Sequence, residues 1–182
     1  MTPPDNSEQT DEDLIRLINE GRMDAFETLY LRYRDWVARL AWRFTGHEED
    51  AMDVLQETFA YLVRKFPGFQ LTAAMTTFLY PAVRNLSIAA NRKRRRSVSS
   101  DDLPELFASP EPSESVDSEI ATLLDSLSTS HREILLMRFV DGLTQPEIAE
   151  ALDVPLGTVK SRLHHAIAAV RQIPGISEWF QE

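Results

Sequence analysis

Residues 144–172, TQPEIAEALDVPLGTVKSRLHHAIAAVRQ, hold two amphipathic segments with a break between them. Thr144-Gln-Pro-Glu147 has the spacing of a capping box, in which the threonine hydroxyl and the glutamate carboxylate each satisfy an amide that the helix start leaves free. A short helix, Ile148-Ala-Glu-Ala-Leu152, follows it. Asp153-Val-Pro-Leu-Gly157 interrupts the pattern, and a longer helix then runs to about Gln172, stopped by Pro174-Gly175. A short helix, a turn and a second amphipathic helix make a helix-turn-helix. On the second helix, at about 100° per residue, Val159, Leu163, Ala166, Ile167 and Val170 share an apolar stripe. Thr158, Ser161, His164, His165 and Ala168 lie opposite, with Lys160 and Arg162 on the flanks, and no acidic side chain interrupts this face. Hydroxyls and imidazoles meet base edges while Lys and Arg hold phosphates, which is what a helix entering a major groove requires. An ordinary solvated face has a similar composition, and the helix-turn-helix setting tips the reading toward DNA. His164 and His165 point about 100° apart, with no carboxylate three or four residues away, so they make a poor metal site.

Working outward, Ser130-His-Arg-Glu133 also has capping-box spacing and leads into Ile134, Leu135, Met137, Arg138 and Phe139, ending near Gly142. Leu123, Leu124 and Leu127 share one face of a helix that begins at Ile120. Residues 97–118, SVSSDDLPELFASPEPSESVDS, are rich in Ser, Pro and acid, a composition that buries too little apolar area to order itself. Fully extended, such a linker reaches up to about 70 Å, so the halves it joins are free to be placed independently.

The first half reads as helical throughout. Thr10-Asp-Glu-Asp13 opens a helix that stops at Gly21, and Asp24-Ala-Phe-Glu27 has capping-box spacing ahead of an apolar stripe from Phe26 to Phe44 that ends near Gly46. A third helix runs from Glu48 through Leu55, Phe59, Leu62, Val63 and Phe66 to Pro67-Gly68, with Leu55, Phe59 and Val63 expected in the core. A fourth starts at Thr72 and continues through Phe78, Val83 and Leu86 into Arg92-Lys-Arg-Arg-Arg96. No segment of useful length alternates with strand periodicity. The expected fold is all-α: an acidic tail over 1–13, a helical domain over 14–96, an acidic linker over 97–118, a helix-turn-helix domain over 119–174 and a short tail over 175–182.

Composition limits the function classes. The 182 residues are 43% hydrophobic and 26% charged, as in soluble globular proteins. The absence of cysteine excludes disulfides, thiol catalysis and cysteine-ligated metals. The N-terminal stretch is acidic and polar, the reverse of a signal peptide, and no apolar run approaches the roughly 20 residues that span a bilayer, so a cytoplasmic protein without membrane insertion is expected. The net charge of −10 is unevenly placed. Residues 1–13 carry five acids and residues 97–130 eight, neither with a base, so the remainder is +3. Acidity confined to tail and linker leaves the first helical domain basic, as a nucleic-acid partner requires.

The segments Asp53-Val-Leu-Gln-Glu-Thr-Phe59, Phe78-Leu-Tyr80, Arg84-Asn-Leu86 before the basic run, Gly142-Leu-Thr-Gln-Pro-Glu-Ile-Ala149 and Val154-Pro-Leu-Gly-Thr-Val-Lys-Ser-Arg-Leu163, in that order, resemble the bacterial RNA polymerase sigma factors. The short form, with no domain between the halves, resembles the extracytoplasmic-function group. The resemblance covers about residues 11–96 and 119–173. It implies a transcription initiation factor that is not an enzyme, needs no cofactor or metal, and has core RNA polymerase and promoter DNA as partners. The contacts it implies on polymerase are the clamp coiled coil of the largest subunit and the flap of the second-largest. An anti-sigma factor that masks both DNA-binding domains is the further partner implied.

Laid on these positions, the resemblance gives Asp53, Gln56 and Glu57 the role of docking on the clamp. Their spacing puts three acceptors on one helix face, where they suit basic partners, although a solvated acidic face has the same pattern. The loop Phe69-Gln-Leu-Thr-Ala-Ala-Met75 resembles the part that captures an unstacked base of the −10 element, and Asn85 aligns with a base-contacting position. Unstacking costs a few kcal/mol per base, to be recovered by stacking and edge hydrogen bonds. Phe69 fits a stacking surface and a core aromatic equally well. Arg84, Arg92, Lys93, Arg94, Arg95 and Arg96 would neutralise phosphates around the melted strand. Thr158, Lys160, Ser161, Arg162, His164 and His165 match the helix that reads the −35 duplex. The acidic linker matches a segment near the path of nascent RNA, and a flexible tether serves equally as its reading.

The chain departs from the family pattern at four places: Phe78 stands for the usual Trp, Pro81 for Arg, Ala89 for Asp, and His165 for a common Arg. Trp179 and Phe180 in the C-terminal tail read better as a cap on the core than as a docking point. Two other function classes fit less of the chain. A stand-alone helix-turn-helix regulator needs a dimer to meet paired half-sites, and no heptad seam supplies one. A hydrolase built on His47, Glu48, Glu49 and Asp50 would need consecutive ligands that diverge around a helix axis.

Overall fold

A computed structural model describes residues 9–97 and 127–172, and the chain divides into two compact units, residues 1–101 and 102–182. The tail before residue 9, the linker after residue 97, the helix expected from Ile120, Pro174-Gly175 and Trp179-Phe180 lie outside the described residues. All the described secondary structure is helical.

The first unit consists of α1 (Asp11–Asn19), α2 (Met23–Thr45), α3 (Glu48–Val63) and α4 (Met75–Ser97). The Thr10 hydroxyl caps α1 by accepting from the Asp13 amide at 3.2 Å. At the other end, Gly21 takes φ 90° while the amides of Gly21 and Arg22 return to the carbonyls of Ile18 and Leu17, closing the helix in a left-handed turn. The capping box expected at Asp24 does not form. The helix starts earlier, at Met23 with Arg22 at its cap, and Arg22 grips the Asp24 carboxylate through Nε at 3.0 Å and Nη2 at 2.6 Å, a charge-assisted fork that holds the carboxylate pKa below its ordinary value. The helix α2 ends at Gly46 with φ 66°, as the sequence pattern predicts.

The next two boundaries shift. α3 ends at Val63 rather than Phe66, because the amides of Lys65 and Phe66 fold back three residues, to Leu62 and Val63, in a tightened turn ahead of Pro67. α4 begins at Met75 rather than Thr72 and runs on through Pro81, which supplies no amide to the carbonyl of Thr77 one turn earlier.

The core lies where α2, α3 and α4 meet, with α1 laid against α2. Leu29, Val37, Leu40, Leu62, Leu79 and Val83 are all buried, and truncating any of the leucines to Ala would cost about 2–5 kcal/mol. The rings of Phe44 and Tyr80 meet edge-on at 6.1 Å, and those of Tyr30 and Phe59 at 4.8 Å. Leu55 and Phe59 are buried as expected, whereas Val63 is 41% exposed, because its neighbour Leu62 takes the inward side of the last turn of α3 and Val63 points about 100° away from it. Polar ties join the helices. The carboxylate of Asp11 accepts from Arg32 and from the hydroxyl of Tyr33, Asn91 Nδ2 donates to the Phe44 carbonyl at 2.9 Å, and Arg94 pairs with Asp50 at 3.3 Å. Burial, and then the bond to Asp11, push the Tyr33 phenol well above its ordinary pKa.

In the second unit, α5 (Thr129–Leu135) is capped by Ser128, whose hydroxyl accepts from the His131 amide at 3.4 Å. The box expected at Ser130 is absent because Glu133 is buried with Arg132 in the interior rather than turned back to the helix start. Over Leu136–Val140 the helix widens, with the Asp141 amide reaching five residues back to Leu136 at 2.9 Å. On this widened turn Met137 is buried and Phe139 is 63% exposed. α6 (Gln145–Leu152) starts with the expected capping box: Glu147 N–H donates to Thr144 Oγ1 at 3.4 Å, and Thr144 N–H to Glu147 Oε2 at 2.7 Å. Asp153 ends it with φ 52°, and the amides of Asp153 and Val154 return to Glu150 and Ala149, a closure usually made with glycine. α7 (Leu156–Arg171) follows at once, so Leu156 and Gly157 belong to its first turn rather than to the break.

The exposed Asp153 therefore occupies a backbone region that costs a residue with a Cβ about 1–2 kcal/mol. Asp153→Gly should leave the second unit at least as stable in thermal unfolding, and Asp153→Val should lower its stability by about 1–2 kcal/mol. Equal stability of the two variants would show that the left-handed conformation is not what limits this turn.

Candidate nucleic-acid interface

α7 packs on α5 and α6 through Val159, Leu163, Ala166 and Val170, all buried, with Ile167 half-buried beside them. This fixes which face is left outward. Lys160, Ser161, His164, His165 and Ala168 are exposed; Thr158 and Arg162 are half-buried at the edges. The two imidazoles lie edge to face at 5.5 Å. The surface is a row of hydroxyl and imidazole groups with Lys160 at its side, able to donate to and accept from base edges. Among the described residues no three His, Cys, Asp or Glu side chains gather closely enough to hold a metal ion.

On α4, Asn85, Ala89, Arg92 and Arg96 recur along one helical face and all are exposed, with Lys93 beside them. Ala89 keeps the middle of the row low, so a strand lying along it would meet Asn85 at one end and cations at the other. The basic run does not act as a block. Arg84 is half-buried and engaged within the protein. Arg94 lies on the far side of α4, paired with Asp50 of α3 at 3.3 Å in a contact not aligned as a hydrogen bond. The side chain of Arg95 is outside the described part. Among the described side chains, Arg92, Lys93 and Arg96 are thus the cations that this face presents.

The loop over residues 67–74 joins α3 to α4. Phe69 is half-buried in an aromatic cluster, 5.5 Å from Phe66 and 4.8 Å from Phe78, and Phe78 stacks on Tyr61 at 6.0 Å. Lys65 sits 4.6 Å from the Tyr61 ring centroid. Packing therefore engages much of the Phe69 ring. The residue that sequence reasoning missed is Asn19, whose side chain bonds the backbone of Gly68 and Phe69. Nothing local flags it, since some 50 residues separate the partners.

A third surface lies on α3, where Asp53, Gln56 and Glu57 are exposed side by side while Val54, Leu55 and Thr58 turn inward. Met52, 44% exposed, and Val63 flank the polar group with apolar surface. The sequence reading assigned only the polar members of this face.

Comparison with known proteins supplies the identity. A family model described as "Sigma-70 region 2" matches residues 29–97, and one described as "Sigma-70, region 4" matches residues 117–170. The ECF RNA polymerase sigma-E factor of Escherichia coli (strain K12) is 32% identical over 181 residues, covering 90% of this chain and 94% of the relative. The chain belongs to the ECF sigma factors of the sigma-70 family.

Another relative of this sigma factor, the ECF sigma factor SigW of Bacillus subtilis (strain 168), is 28% identical over 178 residues, covering 87% of this chain and 93% of its own. Two solved structures share its fold at 23% identity: CnrH in complex with the cytosolic domain of CnrY, with a TM-score of 0.65 over 88% of this chain and 94% of that one, and the Bartonella quintana sigma factor RpoE in complex with the anti-sigma factor NepR, with a TM-score of 0.64 over 81% and 94%. Sigma factors are non-enzymatic RNA polymerase subunits that bind core polymerase and promoter DNA, and this one directs promoter-specific transcription initiation. Among the described residues no helix is long and apolar enough to cross a membrane.

The division of the basic run yields a test. Arg92→Ala, Lys93→Ala and Arg96→Ala should each flatten the salt dependence of promoter binding by the holoenzyme, the log–log slope falling by about one for each phosphate left without its cation. Arg94→Ala should leave that slope unchanged and lower stability by up to about 1 kcal/mol, the range for a pair 42% and 25% exposed. A decrease in slope at Arg94 equal to that at Arg92 would overturn the division.

Proposed function

We propose that this sigma factor divides its contacts among the three faces described. The domain over residues 14–96 docks on core polymerase through Asp53, Gln56 and Glu57 of α3, which meet basic side chains on the clamp coiled coil of the largest subunit. The loop with Phe69 and the α4 face with Asn85, Arg92, Lys93 and Arg96, flanked by Arg84, hold the melted −10 strand, while Arg94 of the same basic run is turned to Asp50. The domain over residues 119–174 contacts the flap of the second-largest subunit and sets α7 in the −35 major groove, where Thr158, Ser161, His164 and His165 face base edges and Lys160 and Arg162 face phosphates. The acidic linker over 97–118 joins the two domains, tails at 1–13 and 175–182 flank them, and the protein works in the cytoplasm beside the polymerase.

The observation that carries this reading is the strict separation on α7: its apolar stripe is buried, and its opposite face is exposed, polar and free of acid. On the first unit, the acidic α3 face and the basic α4 face are chemically opposite, which favours a protein partner for one and a nucleic acid for the other. Regulation by an anti-sigma factor is supported by the RpoE neighbour, solved as such a complex. With −10 of net charge, the free protein is repelled by DNA at long range, and polymerase supplies the opposing field.

Paired variants test the assignment. Asp53→Lys with Glu57→Lys should weaken core-polymerase binding by about ten-fold or more while circular dichroism stays unchanged, because attraction becomes repulsion at the same sites. Lys160→Ala with Arg162→Ala should leave core binding intact and weaken promoter binding with a smaller salt slope. Loss of core binding in the second pair but not in the first would reverse the assignment of the two surfaces.

A further inference from the structure

The side chain of Asn19, at the last turn of α1, makes a long-range polar tie to the loop before α4. Its Oδ1 accepts from the amides of Gly68 at 2.6 Å and Phe69 at 3.1 Å, and its Nδ2 donates to the Phe69 carbonyl at 2.8 Å. Gly68 takes φ 98°, which aims its amide and the next at one oxygen. Two consecutive amides converging in this way form a small concave donor site, and here Asn19 fills it. The Phe69 backbone is thus bonded on both its N–H and C=O sides by one amide group, much as a neighbouring strand would bond it.

Both ends of this tie are firmly set. α1 is fixed on α2 by Leu14, Ile15 and Ile18, all buried, and by Asp11, whose carboxylate accepts from Arg32 and Tyr33 at the opposite end of the helix. The Phe69 ring packs on Phe78 of α4 at 4.8 Å. Beyond Phe69, Gln70, Thr72 and Ala74 are exposed, so Asn19 secures the root of an outward-facing loop rather than the core.

The geometry points to Asn19 as a positioning residue for base selection: it holds the root of the 68–74 loop so that the loop meets the unstacked −10 base in one shape. This rests on the proposed role of that loop in −10 capture. A loop set in advance loses less freedom on capture and tolerates fewer ligand shapes. Without the tie, the loop still reaches the base but takes several shapes, so the wrong base is accommodated as well. The expected signature is lost discrimination and slower opening, with polymerase binding and −35 binding untouched.

The test uses the full chain with core polymerase on promoters differing only in the captured −10 base. Asn19→Ala should raise amide exchange in the free protein at residues 68–69, leave core affinity unchanged, and reduce discrimination between best and worst base by about ten-fold. Asn19→Asp keeps the acceptor for both amides but sets a second carboxylate oxygen, an acceptor only, against the Phe69 carbonyl, so it should lose discrimination to an intermediate degree, about three-fold. A variant with Gln70, Leu71 and Thr72 all replaced by Ser reports on the loop itself. If exchange rises in Asn19→Ala while discrimination and opening match the unaltered protein, the positioning role is overturned. Loss of core affinity in step with discrimination in both Asn19 variants overturns it too, as a general packing defect. If the serine variant keeps full discrimination, the loop does not read the base, and the proposal falls together with the −10 assignment rather than on its own.

Discussion

The contact between α2 and α4 governs what the first unit can present. Phe44 and Tyr80 meet there with both rings fully buried, and Asn91 donates to the Phe44 carbonyl immediately before the basic run. These contacts fix the rotation of α4 about its axis. Because a helix moves each successive side chain by about 100°, that rotation decides that Asn85, Ala89, Arg92 and Arg96 face outward and that Arg94 faces Asp50. In the second unit the burial of Val159, Leu163, Ala166 and Val170 sets the rotation of α7 in the same way. In both units, the proposed contacts sit on the face left over once packing has been satisfied.

Charge is sorted on the same basis. A chain of net charge −10 keeps a basic face on α4 and an acid-free outer face on α7, because 13 of its acids lie in residues 1–13 and 97–130 and others on the outer face of α3. Exposed ion pairs such as Arg16 with Asp13 and Glu20 add little stability individually. Asp11 matters more, because it anchors the start of α1 to two side chains of α2, and Asn19 at the far end of α1 passes that anchorage to the loop.

Features written within one helical turn were legible in the sequence. The Thr144–Glu147 box, the Thr10 cap, the glycine stop at Gly46 and the two faces of α7 all depend on residues three or four apart, and each was found where the spacing put it. Errors arose where a neighbour outside the motif competed. Arg22 took the carboxylate of Asp24, and the interior took Glu133, so two boxes of correct spacing did not form. Long-range ties left no trace in the pattern: Arg94 with Asp50 and Asn19 with Phe69 join residues that only the fold brings together. The all-α class, the helix-turn-helix and the family were therefore readable, while the division of labour within the basic run was not.

Each of the three proposed faces carries an exposed alanine among its functional side chains: Ala60 on α3, Ala89 on α4 and Ala168 on α7. A photo-cross-linking amino acid placed singly at these positions in the reconstituted promoter open complex tests the account most directly. It predicts attachment to the largest polymerase subunit from position 60, to the melted −10 strand from position 89, and to the −35 duplex from position 168. Attachment of position 60 to DNA, or of position 89 or 168 to polymerase alone, would contradict it.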